Sequence, residues 1–232
     1  MSGNKKQKNI SVMQTSESFL LSALLSFSGG LQDAYTFNLR DNVFANAQTG
    51  NVVLMSQNFM TGKYMTGLRY ICPLIAFVLG IFIADVVENK YKHSKKLHWR
   101  QMILVMEMIS LSIVGMIPFS MNMVANMIVS FSCAMQVQTF RTVRGYGYAS
   151  TMCIGNLRSG TVSLSEYLRN KNKASLRKAG YFFGIIFIFA LGAGFGGVVS
   201  IRMGNGTICF SVAILLLVMM MMNKKQREYV EY

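Results

Sequence analysis

The sequence predicts an all-α, polytopic membrane protein of about six spans, arranged as two inverted repeats with two polar segments that are discontinuous or re-entrant. Three observations carry this expectation: the composition, the spacing of apolar windows, and an echo between the two halves of the chain. Of 232 residues, 52% are hydrophobic and only 14% charged, with a mean hydropathy of +0.37. A soluble domain averages about 45–50% apolar and about 25% charged residues, so a bilayer is the solvent that suits this chain. A helix needs about 20 apolar residues to cross about 30 Å of hydrocarbon. Windows of that kind run at 18–38, 70–88, 101–118, 121–140, 180–201 and 207–222.

The first window follows "MSGNKKQKNISVMQTSES" without a small-residue cleavage pattern, which predicts an uncleaved first span. The chain then divides into a cytoplasmic N-tail at 1–17, one integral domain at 18–223 and a cytoplasmic C-tail at 224–232. Inside the domain, "LSFSGGLQDAYTF" from Leu25 and "VSFSCAMQVQTF" from Val129 share Ser26/Ser130, Phe27/Phe131, Ser28/Ser132 and Gln32/Gln136 at a constant offset of 104. With one extra residue Gly50-Asn51 meets Gly155-Asn156, and after a longer insertion Leu79-Gly80 meets Leu191-Gly192. Both halves, about 18–118 and 121–223, read as span, polar segment, span, span. Weak internal symmetry of this kind is common in transporter folds.

The formal charge of +14 is carried by loops and tails: Lys5, Lys6 and Lys8; Lys90, Lys92, Lys95, Lys96 and Arg100; Arg169, Lys171, Lys173, Arg177 and Lys178; Lys224, Lys225 and Arg227. Basic loops between apolar spans are the positive-inside pattern, which argues for a lipid bilayer and against nucleic acid as the partner. Eight crossings would expel at least one of these clusters. Six crossings with both termini inside keep all four in the cytoplasm and leave Arg40, Lys63, Arg69 and Arg202 outside. Three spans per repeat is an odd number, so the repeats must be inverted. "NVFANAQTGNVVLMSQNFM" (42–60) then enters from outside and "YASTMCIGNLRSGTVSLSEYL" (148–168) from the cytoplasm. Lipid cannot satisfy non-helical backbone, so such segments need protein or water around them. Their amides line a wet path or support a neighbouring backbone; interfacial, polar-loop and spanning placements stay open.

Candidate path residues follow from this layout. Asp33 and Arg158 are isolated charges of opposite sign, one in each repeat, and an ion pair between them would keep both in the membrane. Gly50 and Gly155 precede Asn51 and Asn156 at the start of short helices, whose free N–H groups favour anions. Asn46, Gln48 and Thr49 line the same approach, and Gln32 and Gln136 frame the cavity or bond neighbouring helices. Glu107 is placed to reach the cytoplasmic interface, Asp85 and Glu88 to pair locally, and Gly192, Gly194, Gly196 and Gly197 to serve close helix packing.

An enzyme is not expected. The two histidines, His93 and His98, lie in a basic loop, so neither a buried Ser–His pair nor a histidine metal site is available in the membrane. Cys72, Cys133, Cys153 and Cys209 lack the spacing of zinc ligands, and the nineteen methionines show no recurring ligand pattern. No metal and no cofactor is implied.

The segments "GGLQDAYTFNLRDNVFANAQTGNVV" and "AMQVQTFRTVRGYGYASTMCIGNLRSG" resemble the YoaK-like family, domain of unknown function 1275, through Gly30, Asp33, Phe44, Thr49, Gly50, Asn51, Met135, Gln136, Arg141 and Thr151. The resemblance covers nearly the whole chain. It departs from the family pattern at Val137, where an amide is usual. It implies a multi-pass protein of the bacterial plasma (inner) membrane, with transport the expected activity and no established substrate. Residues and resemblance together predict a transporter or channel for a small polar solute. The alternative is a non-transporting membrane protein that binds a partner or lipid, and oligomeric state stays open.

Overall fold

The computed structural model describes residues 11–13, 15–92, 98–223 and 228–230. The basic groups at Lys5, Lys6 and Lys8, at Lys95 and Lys96, and at Lys224, Lys225 and Arg227 lie outside the described residues, as does His93. Eight α-helices are described: α1 (Phe19–Leu39), α2 (Gln48–Met60), α3 (Tyr64–Tyr91), α4 (Trp99–Met116), α5 (Asn122–Thr139), α6 (Cys153–Asn170), α7 (Lys173–Met203) and α8 (Ile208–Asn223). Three helical stretches are long and apolar enough to cross a membrane: Tyr64–Tyr91, Trp99–Met116 and Lys173–Asn223, the last holding α7 and α8. Helices α1 and α5 fill the remaining apolar windows. Strand β1 (Ser11–Met13) pairs antiparallel with β4 (Glu228–Val230), bringing the two ends of the chain together, and β2 (Thr142–Val143) forms a hairpin with β3 (Tyr146–Gly147).

Helix ends follow local chemistry. Ser18 caps α1, its Oγ accepting the Leu21 N–H at 3.3 Å, and Asn172 caps α7, its Oδ1 accepting the Ala174 N–H at 2.9 Å. Helix α4 starts at His98, whose Nδ1 accepts the Arg100 N–H at 3.3 Å. Burial, and then the Arg100 charge, push the imidazole below its usual range, which keeps it neutral and able to accept. Past α1 and past α5 the chain turns through two successive left-handed residues, Asp41-Asn42 (φ 62° and 55°) and Arg144-Gly145 (φ 51° and 79°). Asp, Asn and Gly tolerate that region. Arg144 sits there as the first central residue of the β2–β3 hairpin turn, and its N–H bonds the Glu17 carbonyl at 2.8 Å.

The helices pack reciprocally. The most extensive interfaces are α1 with α7 and α5 with α3, so each half's first long helix lies on the other half's second. Likewise α1 meets α8 as α5 meets α4, α2 lies along α3 as α6 lies along α7, and α4 contacts α8. Two of the closest approaches fall on residues that the sequence repeat aligns. A Cβ at Gly192 would land on the carbonyl oxygen of Phe27, and one at Gly80 on the carbonyl oxygen of Phe131. Gly30 meets the Phe189 carbonyl in the same way, and a Cβ at Gly196 would be 2.9 Å from Leu31 Cα. Lipid offers no hydrophobic drive between helices, so contact at this distance is what holds them.

One end of this bundle is fastened by Arg40, which follows α1. The sequence places it in an exterior loop, but it is fully buried. Its Nε and Nη2 donate to Tyr35 Oη at 3.0 and 2.8 Å, Nη1 to the Pro118 carbonyl and Asn122 Oδ1 at 3.1 Å each, and Nη2 to the Ile117 carbonyl and Asn205 Oδ1 at 2.8 and 2.9 Å. The guanidinium also lies 4.9 Å from the Phe119 ring centroid. Carbonyls at the C-terminus of α4 carry the negative end of the helix dipole, which offsets a buried cation without a carboxylate. Arg40 thereby joins α1 to the α4–α5 and α7–α8 connections. At the opposite end, which holds the β2–β3 hairpin, Glu88 pairs with Lys92 at 3.8 Å, the local partner expected, and also with Arg141 at 2.6 Å across the bundle.

Gly80→Ala and Gly192→Ala should each lower the stability of the purified protein by about 1–3 kcal/mol, the usual range for overpacking. Gly194→Ala, whose Cβ would meet open space, should be neutral or gain up to about 1 kcal/mol of helix propensity. Thermal unfolding of the three variants in detergent checks the ranking.

Candidate functional site

Helix α2 has 13 residues, about 20 Å at 1.5 Å per residue, and cannot cross about 30 Å of hydrocarbon. It and α6 are each reached through a non-helical approach, 40–47 and 140–152. Both approaches end deep in the bundle, beside the glycine crossings: Gln48 bonds Ser130 Oγ at 2.9 Å, one residue from Phe131, and a Cβ at Gly29 would be 2.5 Å from the Thr151 methyl. The approaches to α2 and α6 therefore reach the interior from two sides.

Each approach is locked by the same device. Asn51 Nδ2 donates to the Phe44 carbonyl at 2.8 Å, and Asn156 Nδ2 to the Ala149 carbonyl at 2.7 Å, both seven residues back. Asn51 and Asn156 are buried, whereas Thr49 and Gly155 are exposed and Gly50 half-buried. A Cβ on Gly50 or Gly155 would meet open space, so neither glycine is demanded by packing. Between the approaches lies a polar cluster. Asp33 Oδ1 accepts the Asn46 N–H at 2.9 Å, and Asn46 Nδ2 donates to the Gly29 carbonyl at 3.0 Å. Gln48 Nε2 also donates to the Ala45 carbonyl at 2.7 Å, and its Oε1 accepts from Asn51 at 3.0 Å. On the other side Gln136 Nε2 donates to Ser150 Oγ at 2.9 Å and the Leu25 carbonyl at 3.3 Å, while Thr151 Oγ1 lies 3.6 Å from Cys133 Sγ.

Most of the expected path residues thus converge, but three placements differ from expectation. Asp33 and Arg158 form no pair. Asp33 is buried on α1, whereas Arg158 is exposed on α6 and, with Lys178, faces a cleft of about 350 Å3 beside the hairpin. Asn156 points inward, and two residues on is about 200° around a helix, so Arg158 must point away. Gln32 does not mirror Gln136: its amide donates to Ser28 Oγ at 3.1 Å within its own helix. Glu107, expected to reach an interface, is fully buried with both oxygens unpartnered. Cys133, Ser130 and Thr151 were not expected as path residues, although Ser130 lies in the repeat and Thr151 in the family pattern. A second cavity, about 400 Å3, runs along the start of α6 past Arg141, Ala149, Met152, Gly155 and Asn156. No cluster of three metal-ligating side chains occurs among the described residues.

Asn51→Ala and Asn156→Ala should each cost about 1–3 kcal/mol, because each removes a buried amide and the hydrogen bond that holds its approach. Thr49→Ala should stay within about 0.5 kcal/mol of the parent. Unfolding in detergent measures both.

No curated protein and no solved structure matches the chain. The family described as protein of unknown function (DUF1275) matches it over residues 21–221, which spans both approaches, the central cluster and all the helix crossings. The chain belongs to the DUF1275 family.

Proposed function

We propose that this protein carries a small polar solute across a bacterial plasma membrane through the cluster at Asp33, Asn46, Gln48, Gln136, Ser150 and Thr151. The observation that supports it best is the meeting of the non-helical approaches to α2 and α6 beside that cluster. Non-helical backbone at such depth belongs beside a cavity or under protein, and inverted repeats build midplane sites from it. In this reading α1, α3, α4, α5, α7 and α8 are six spans in two inverted repeats. The reciprocal packing and the paired contacts Gly80–Phe131 and Gly192–Phe27 favour that layout. An even number of crossings also agrees with the pairing of β1 and β4, and the basic clusters favour both termini in the cytoplasm. The 400 Å3 cavity along α6 is then the cytoplasmic vestibule. Helix N-termini and Arg141 favour anionic or acceptor groups on the solute, Asp33 a cationic one. A second reading, a non-transporting protein that holds a partner or lipid, is favoured by the amides of Asn51 and Asn156 being spent on their own backbone.

Solute uptake into proteoliposomes, screened with and without a proton gradient, separates the two readings. Transport predicts uptake that Asp33→Asn abolishes while the protein still folds. In a cysteine-free background, impermeant thiol reagents should reach Thr49→Cys from outside and Gly155→Cys from the cytoplasm, and should not reach Lys95→Cys from outside intact cells. Labelling of both path positions from one side only, or of Lys95→Cys from outside, would overturn the inverted layout.

A further inference from the structure

Glu107 sits in the middle of α4, eight residues past Trp99, among Ile103, Leu104 and Leu111, all fully buried. Its own exposure is 0%, and neither carboxylate oxygen has a hydrogen-bond partner. A carboxylate so placed in a membrane interior cannot stay ionised, because no donor or cation replaces the lost water. The elements around it offer none. Helix α5 carries one titratable side chain, the buried thiol of Cys133, which lies 3.6 Å from Thr151 Oγ1. Helix α8 carries one titratable group among the described residues, the exposed Cys209, and the short 3-10 turn Gly204–Thr207 carries none. On α3, Asp85 and Glu88 are engaged near its end with Asn89, Gln138, Lys92 and Arg141. Within α4, Arg100 lies in the first turn, with its Nε 3.4 Å from the Thr139 carbonyl. Glu107 is therefore a neutral acid that holds a proton.

A route towards that proton starts where α4 and α5 run side by side: Arg100 Nε lies 3.4 Å from the Thr139 carbonyl, and seven residues inward from each are Glu107 and Ser132. Ser22 and Ser26 are one helical turn apart on α1, as are Ser132, Gln136 and Thr139 along α5, and spacings of three and four put each set on one face. Every one of these side chains is buried, and Ser26 Oγ, Ser132 Oγ, Gln136 Oε1 and Thr139 Oγ1 have no hydrogen-bond partner among the described residues. They run from the hairpin end of the bundle towards Cys133. An apolar helix interface would be filled with aliphatic side chains; a row of unpaired oxygens leading to a neutral acid is the pattern of proton passage.

We propose that Glu107 is a proton-binding site of the membrane interior, loaded and emptied along this row of serine, threonine and glutamine oxygens. Release leaves a carboxylate that must meet a hydrogen-bond donor, so proton occupancy is tied to a rearrangement around α4. The proton site does not rest on solute transport: failed uptake leaves it standing, and its own failure leaves the transport reading standing.

The test uses the full chain in lipid nanodiscs, with the proton itself and dicyclohexylcarbodiimide as probes. The carbodiimide adds the O–H of a neutral carboxylic acid across one C=N bond and rearranges to an N-acylurea that keeps every atom of both reactants. Peptide mass mapping should find this adduct on Glu107 near neutral pH, with labelling falling as pH rises, and none at that position in Glu107→Gln. Infrared difference spectra should show a carboxylic-acid C=O band that persists in Asp33→Asn, disappears in Glu107→Gln, fades reversibly at high pH and shifts on transfer to D2O. Ser26→Ala should slow that shift. This variant also carries the test if Glu107→Gln does not fold. Absence of both adduct and band in the folded parent overturns the proposal. So does a Glu107 band that neither titrates nor exchanges before the protein unfolds, since the acid would then be a sealed packing group.

Discussion

Contact of backbone with backbone at two glycines is the constraint on which the rest of this structure depends. With Gly192 against Phe27 and Gly80 against Phe131, the α1–α7 and α3–α5 pairs close to a distance no side chain permits. Around these pairs α2 lies along α3 and α6 along α7, with Asn51 and Asn156 turned inward. In hydrocarbon, apolar surface gains nothing by leaving lipid for protein, so dispersion at very short range and interhelical hydrogen bonds must do the holding. The polar cluster at Asp33, Asn46 and Gln48 is located by those crossings rather than by its own bonds.

Much of this was legible in the sequence. Each apolar window coincides with a helix, and the residue pairs that align the two halves, Phe27 with Phe131 and Gly80 with Gly192, are the ones that touch crosswise. An alignment of one half on the other thus contained a tertiary contact, because swapping equivalent elements preserves the partner type. The polar segments were legible as interrupted helices for a similar reason: amides at that density need partners, and Asn51 and Asn156 find equivalent ones.

What the sequence did not reveal is where side chains point around a helix axis and which backbone groups arrive from afar. Arg158 and Asp33 have opposite charges, yet the rotation of α6 that buries Asn156 turns Arg158 out. Asp33 is instead met by a main-chain N–H thirteen residues on, which carries no residue-type signature. Glu107 looked close to Arg100 along the chain, but α5 and α8 close over that face of α4. The two halves also differ where their sequences do. Gln136 reaches across to the approach of α6, while Gln32 bonds within its own turn, so the site is built from related parts used unequally.

The clasp at Arg40 has a consequence of another kind. Its acceptors are main-chain carbonyls, two amide oxygens and a phenol oxygen rather than carboxylates. An ion pair would loosen when acid protonated its anion, but carbonyls and amides do not titrate in that range and a guanidinium keeps its charge. This end of the bundle is consequently fastened by a bond set indifferent to the acidity of whatever it faces. Salt that screens exposed charges will also leave it intact, since it is sealed from solvent. The hairpin end is fastened differently, by an ion pair between the buried Glu88 and the more exposed Arg141.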